Sequence, residues 1–206
     1  MAPHKLNEEE LNNAFLNVRK AHRLIYEYQR RMQDLTWYIK NKLGFPNYKG
    51  FKQFSGALSS RNTIYLENWS WDWIYSYMYE YHLGSINIGN TEITLSLFQV
   101  SDNGFYKSRS ESKHQTQVDS FASVEESDSL LTFYTVVKQN SNNYWKYDIN
   151  KVSDTIPQSI KNEDYVEIYY PVPLQRFANE ESSIEVLREF VKYCKDNANV
   201  ELEILN

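Results

Sequence analysis

A single cysteine, Cys194, stands among the 206 residues. No disulfide can form within the chain, and a thiolate-rich zinc site, which needs two to four such ligands, is excluded. Glycine (6) and proline (5) are scarce, which argues against collagenous, low-complexity or largely disordered chains. No window approaches the roughly 18 consecutive apolar residues of a membrane span. The opening residues, Met1 to Lys5 running into Glu8, Glu9 and Glu10, lack the apolar stretch of a secretion signal. These absences lead us to expect a cytoplasmic protein with no membrane attachment. Also missing are a G-x-G-x-x-G fingerprint, a Walker loop and a G-x-S-x-G elbow, so nucleotide-binding and hydrolase readings lack their signatures. His4, His22, His82 and His114 include no pair at helical metal-ligand spacing. Neither a metal nor a cofactor is expected.

Aromatic residues are abundant at 16%, led by 17 tyrosines. The net charge of −5 hides an asymmetry. Residues 1–60 carry 10 Lys/Arg against 5 Asp/Glu, whereas residues 61–206 carry 12 against 22. The fields of the two segments are complementary, which fits packing on each other or on a neighbouring chain; an anionic partner for the basic segment is the sharper alternative.

The first element is a long helix. Asn7 and Glu10 form an N-x-x-E variant of the capping box, and three glutamates favour the positive helix end. Apolar residues then recur every seven positions, at Leu11, Val18, Ile25, Met32 and Ile39. A second seam reads Ala14, Ala21, Tyr28, Leu35 and Lys42, and Gly44 sits where a C-terminal cap belongs. At 1.5 Å per residue the helix spans roughly 54 Å, so it needs a partner helix or a large surface to lie on. Phe15, Leu24 and Tyr38 widen the stripe, which favours packing on a body or in an oligomeric bundle over a simple two-stranded zipper.

Beyond residue 44 the pattern becomes that of one α+β domain with a mainly antiparallel sheet. Residues 45–62 read as a loop in which Lys49 and Lys52 interleave with Tyr48, Phe51 and Phe54, a pattern that single-stranded nucleic acid or phosphate can use. Every odd position from Trp69 through Trp71 and Trp73 to Tyr81 is aromatic, which suggests a strand. Ile74 and Met78 break the polar face that strand would need, and a helix over 69–83 ending at Gly84 is slightly favoured. Ile86 to Phe98 reads as a hairpin about Gly89-Asn90, and Ser101 to Gly104 as a turn. Residues 107–129 are polar, Ser-rich and aperiodic, and are expected to be mobile. Leu130–Val137 and Tyr144–Tyr147 form a second expected hairpin, followed by a strand over 165–172, a helix over 182–196 capped by Ser182 or Ser183, and a last strand over 200–205.

This reading divides the chain into a helical assembly element, 1–44, and an α+β domain, 45–206. Its leading function is a non-enzymatic accessory or regulatory subunit that binds a protein partner or further copies of itself. Val18, Ile25 and Met32 form the seam, and Trp69, Trp71 and Trp73 supply aromatic contact surface. Two alternatives stand beside it. Asp102, Glu111 and Lys113 are candidates for a metal-dependent phosphodiester enzyme, an acidic residue beside E-x-K. Lys49 and Lys52 are candidates for a nucleic-acid-binding surface. For the last of these, the acidic remainder of the chain opposes phosphate. Electrophoretic titration with DNA and RNA at about 0.15 M salt, where the Debye length is about 8 Å, is expected to show weak, non-specific binding. Tight binding that disappears when both lysines become glutamate would make the basic segment the functional site.

Overall fold

The computed structural model describes residues 7–52, 78–104, 121–139 and 147–206. Two compact units divide the chain, residues 1–35 and 36–206. Helix α1, Glu8–Lys42, runs through both. Its start is the expected capping box: Asn7 N–H donates to Glu10 Oε2 at 2.8 Å, and Glu10 N–H donates to Asn7 Oδ1 at 2.9 Å. Its end is a Schellman turn. Phe45 N–H donates to Lys40 O and Gly44 N–H to Asn41 O, with Gly44 at φ +70, where a side chain is strained.

Among the described residues the second unit is built on six antiparallel strands: β1 Lys49–Lys52, β2 Met78–Ile88, β3 Thr91–Val100, β4 Leu130–Gln139, β5 Gln158–Lys161 and β6 Tyr165–Pro173. Their spatial order is β1-β2-β3-β4-β6-β5. A one-turn helix α2, Ile149–Val152, precedes β5, and helix α3, Glu180–Ala198, follows β6. This is the α+β architecture expected from the sequence: a long first helix, an antiparallel sheet and a C-terminal helix.

Both sheet faces are buried over the central strands, and each carries an apolar core. One face carries a core of Met78, Phe98, Val100, Leu130, Val136 and Tyr169, with Val152 of α2 packed among them. The other carries Phe133 and Tyr170 against Phe190 of α3, at ring-centroid distances of 4.5 and 5.7 Å. Within the same unit Tyr48 stacks on Tyr81 of β2 at 6.0 Å, and its hydroxyl meets Thr36 Oγ1 at 3.0 Å.

Several local expectations need correction. Of the basic-aromatic loop expected over 45–62, Lys49–Lys52 form an edge strand, β1, paired with β2 from Lys49–His82 to Lys52–Tyr79, and 53–62 lie outside the described residues. Residues 78–83 are strand, not helix; 69–77 lie outside the described residues. Met78 is apolar on an even position because that face is core as well. The partner of β4 is not the segment after it: β3 and β6 hold its two edges. Tyr147 belongs to irregular chain, and residues 140–146 lie outside the described residues. Residues 200–206 carry no strand. Val200 and Leu202 are buried on alternate positions, so the alternation reports burial, and the segment is tied by Leu205 N–H donating to Lys42 O at 2.8 Å. Helix α3 is capped by Asn179, with Ser182 as its capping-box partner at the third position. Of the tract expected to be mobile, 107–120 lie outside the described residues. The remainder is anchored: Asp128 N–H donates to Asn103 Oδ1 at 2.8 Å, and Ser129 Oγ–H to Ser101 O at 2.7 Å.

A bulge in β2 shapes the sheet. Register shifts between His82 and Gly84, leaving Leu83 as the extra residue. Asn47 N–H donates to Leu83 O at 2.9 Å. Gly84 has φ +87, and a Cβ there would meet Asn47 Nδ2 at 2.5 Å. Gly84→Ala therefore combines a disfavoured backbone with a clash, and a loss of about 1–3 kcal/mol is expected in urea unfolding. An unchanged midpoint would show that the bulge is soft.

Candidate functional site

Among the described residues two places collect side chains with chemistry or contact potential, one in each unit. In the first unit, α1 presents Leu11 (41% exposed), Val18 (51%) and Ile25 (37%) one above another at seven-residue spacing. Phe15, beside this seam, is also exposed, as are Leu16, Leu24 and Tyr26 around the helix. Ala14 and Ala21 lie between the seam positions. At Met32 exposure falls to 3%. The seam named from the sequence thus splits: Val18 and Ile25 are open in the single chain, and Met32 is covered.

In the second unit the register aligns one residue from each strand across the whole sheet: Lys49, His82, Ser96, Tyr134, Tyr169 and Gln158. Every one is polar or amphipathic, and residues directly opposite share a face. Ser96 Oγ–H donates to Glu80 Oε1 at 2.9 Å, and His82 Nδ1 lies 3.1 Å from Ser96 Oγ. The serine's single hydrogen is on Glu80, so the imidazole must present Nδ1–H to the serine oxygen. Farther along the row, Tyr134 and Tyr169 both donate to the buried Glu167, at 3.2 and 3.4 Å, and Asp148 N–H donates to Tyr169 Oη at 2.9 Å. Burial, then the neighbouring Tyr169 and the Glu167 carboxyl, push the Tyr134 phenol far up. Burial likewise lifts Tyr169 to about 12, against the Asp148 amide, which lowers it. Both phenols remain protonated donors at any physiological pH.

This network is built for cohesion. A serine nucleophile needs an imidazole that takes its proton; here the imidazole donates to the serine, and Ser96 is buried. The sequence offers a partial signal for the cluster, Glu80 and His82 grouped beside the aromatics, and the strand puts the two on one face. Ser96 and Tyr134 carried none, because their meeting depends on long-range register.

The remaining candidates separate. Asp102 Oδ1 accepts from Gly104 N–H at 2.7 Å, a turn-forming bond. Glu111 and Lys113 lie outside the described residues, as do Trp69, Trp71 and Trp73. Lys49 is exposed on the edge strand and Lys52 ends it; the Lys52 side chain lies outside the described residues. Among the described residues no group of three His, Cys, Asp or Glu side chains could hold a metal ion, and no helix is long and apolar enough to cross a membrane. The Cys194 thiol is pushed up to about 12 by burial, consistent with a packing role on α3.

A sequence profile of the family described as PM0109 matches residues 8–199, so the chain belongs to that family. The matched span begins at the first residue of α1 and ends one residue past α3. The chain is also similar to an uncharacterized protein, PM0109, from Pasteurella multocida (strain Pm70), with 46% identity over 43 residues, a stretch covering 21% of each chain. No solved structure matches.

If the Glu80–Ser96–His82 group holds β2 to β3, Ser96→Ala leaves a partly buried carboxylate and imidazole short of a partner. The expected cost is about 1–3 kcal/mol, read as a lower urea midpoint with an unchanged slope. A wild-type midpoint would show the hydroxyl to be dispensable for the sheet.

Proposed function

We propose that this chain is a non-enzymatic interaction protein, an accessory or regulatory subunit that works through α1. The observation that carries the reading is the open seam of Leu11, Val18 and Ile25, with Phe15 beside it. Most helices in proteins draw their stability from packing an apolar face, and a helix left uncovered in water is marginal. A contiguous exposed apolar stripe marks a contact surface.

The sheet domain, on this reading, is the rigid body that the helix connects to a partner. The buried members of its polar row are hydrogen-bonded within the unit and contribute to its cohesion. The reading places the protein in the cytoplasm with a protein partner and assigns it no cofactor.

The test is the native mass of the tagged chain in extracts of its source cells, compared with a Val18→Asp, Ile25→Asp variant. The wild-type chain is expected well above its single-chain mass of 24.5 kDa, and the variant at it. Both substituted positions are exposed, so the body's melting transition should move by no more than about 0.5 kcal/mol per site. Equal native masses for the two proteins would sink the reading.

A further inference from the structure

Resting on that reading, we infer that the occupant of the seam is a second copy of this chain, its α1 antiparallel to the first and overlapping it over residues 8–31. The helix has two seam columns, Leu11, Val18 and Ile25 in one and Ala14, Ala21 and Tyr28 in the other. In an antiparallel pair each residue of one column faces a residue of the other column on the partner helix. One register sets Leu11 against Tyr28, Ala14 against Ile25 and Val18 against Ala21, then repeats the same pairs by two-fold symmetry. Ala14 faces β-branched Ile25, and Ala21 faces Val18, so the small residues let the two backbones approach and the branched ones fill the space.

Charge selects the same register. Glu10 and Arg31 flank the seam on the same side of their respective turns, and both are exposed. In this register Glu10 of each helix lies beside Arg31 of the other, so two opposite-charge pairs form. The remaining flanking pairs are Glu8 with Gln29, Phe15 with His22, and Asn17 with Leu24, none of like charge. A parallel pair sets Glu10 by Phe15 and Arg31 by Thr36 and gains no ion pair. Sliding the antiparallel register by one heptad in either direction also separates Glu10 from Arg31. Glu10 already accepts from Asn7 N–H through Oε2, and a carboxylate has acceptor sites to spare for a guanidinium. Arg30, by contrast, lies on the outer face and pairs with Glu27 of its own helix at 2.7 Å.

The extent of the open surface agrees. In the Leu11–Val18–Ile25 column exposure ends at Met32, in the other column Tyr28 is already half-buried, and the overlap ends at Arg31. An isologous contact of this kind closes on itself as a dimer.

Purified full-length chain should sediment as a concentration-dependent dimer. Ala14→Cys and Ile25→Cys proteins, mixed and oxidised, should form a mixed disulfide, while neither cross-links alone. Cys194, buried on α3, stays out of the reaction. Glu10→Lys and Arg31→Glu should each weaken dimerisation by about tenfold, the scale of two exposed ion pairs turned repulsive. Mixing these two variants should restore it, because the heterodimer regains both attractions. A self-cross-link of Ala14→Cys would overturn the antiparallel arrangement. Indifference to both charge changes would overturn the register. If the purified chain sediments as a single copy at every concentration while the extract still holds it at high native mass, the second copy fails and the assembly reading stands. Single-chain mass in both settings would end both.

Discussion

The ladder between β3 and β4 is the constraint on which the second unit depends. It pairs ten consecutive residues without a slip, from Thr91–Gln139 to Val100–Leu130. Because side chains alternate faces with a period of two, that uninterrupted register decides which residues every other element can touch. It places Phe133 on the face that α3 covers with Phe190, and Tyr134 on the face that Val152 of α2 helps to close. It also lines Ser96 up with His82 on one side and Tyr134 on the other, so that a polar row crosses the sheet from strand to strand. The β2 bulge extends the same logic. By giving up Leu83 as the extra residue it brings Ser85 Oγ to 2.7 Å from Thr94 Oγ1, and polar partners face one another on both sides of the irregularity.

Much of this fold was legible where a local rule was sufficient. The capping box at Asn7, the Gly44 terminus, the hairpin about Gly89-Asn90 and the helix bearing Leu187, Phe190 and Cys194 each follow from residues within a few positions of one another. The failures share a cause. Alternation detects a strand with one wet face, and the central strands here have none: β3 is buried from Ile93 through Val100. In β2, Met78 on an even position argues against a strand with one polar side, whereas both sides are core. At the C-terminus the error ran the other way. Val200 and Leu202 alternate cleanly and yet pair with no strand, since an irregular segment lying on a body also buries every second residue.

The candidate sites divide along the same line. The helix seam could be read at once, because a seven-residue repeat is local information. The polar row could not, because Lys49, His82, Ser96, Tyr134, Tyr169 and Gln158 are brought together by five strand pairings. Its chemistry also resisted anticipation. Two phenols and a carboxylate, or a serine between a carboxylate and an imidazole, look catalytic as a list of residue types. Geometry assigns the hydrogens otherwise: the tyrosines donate to Glu167 and the serine donates to Glu80, so the serine's hydrogen lies on a carboxylate and not on the imidazole. Satisfied buried networks of this sort make one register of a sheet more favourable than its neighbours, since a slip of one residue would leave several polar groups unpaired at once.

Helix α1 shows two kinds of amphipathicity in a single uninterrupted element. In its last turns the buried residues are Thr36, Ile39 and Leu43, spaced three and four apart, the pattern of a helix on its own core. In the preceding turns the apolar residues keep strict sevenfold spacing at Leu11, Val18 and Ile25 and remain exposed. A spacing of 3.5 residues per turn drifts around a straight helix, and it stays in line only along a neighbour that winds with it. Leu11, Val18 and Ile25 keep that spacing while exposed, and it is this stripe that the proposed second helix would complement.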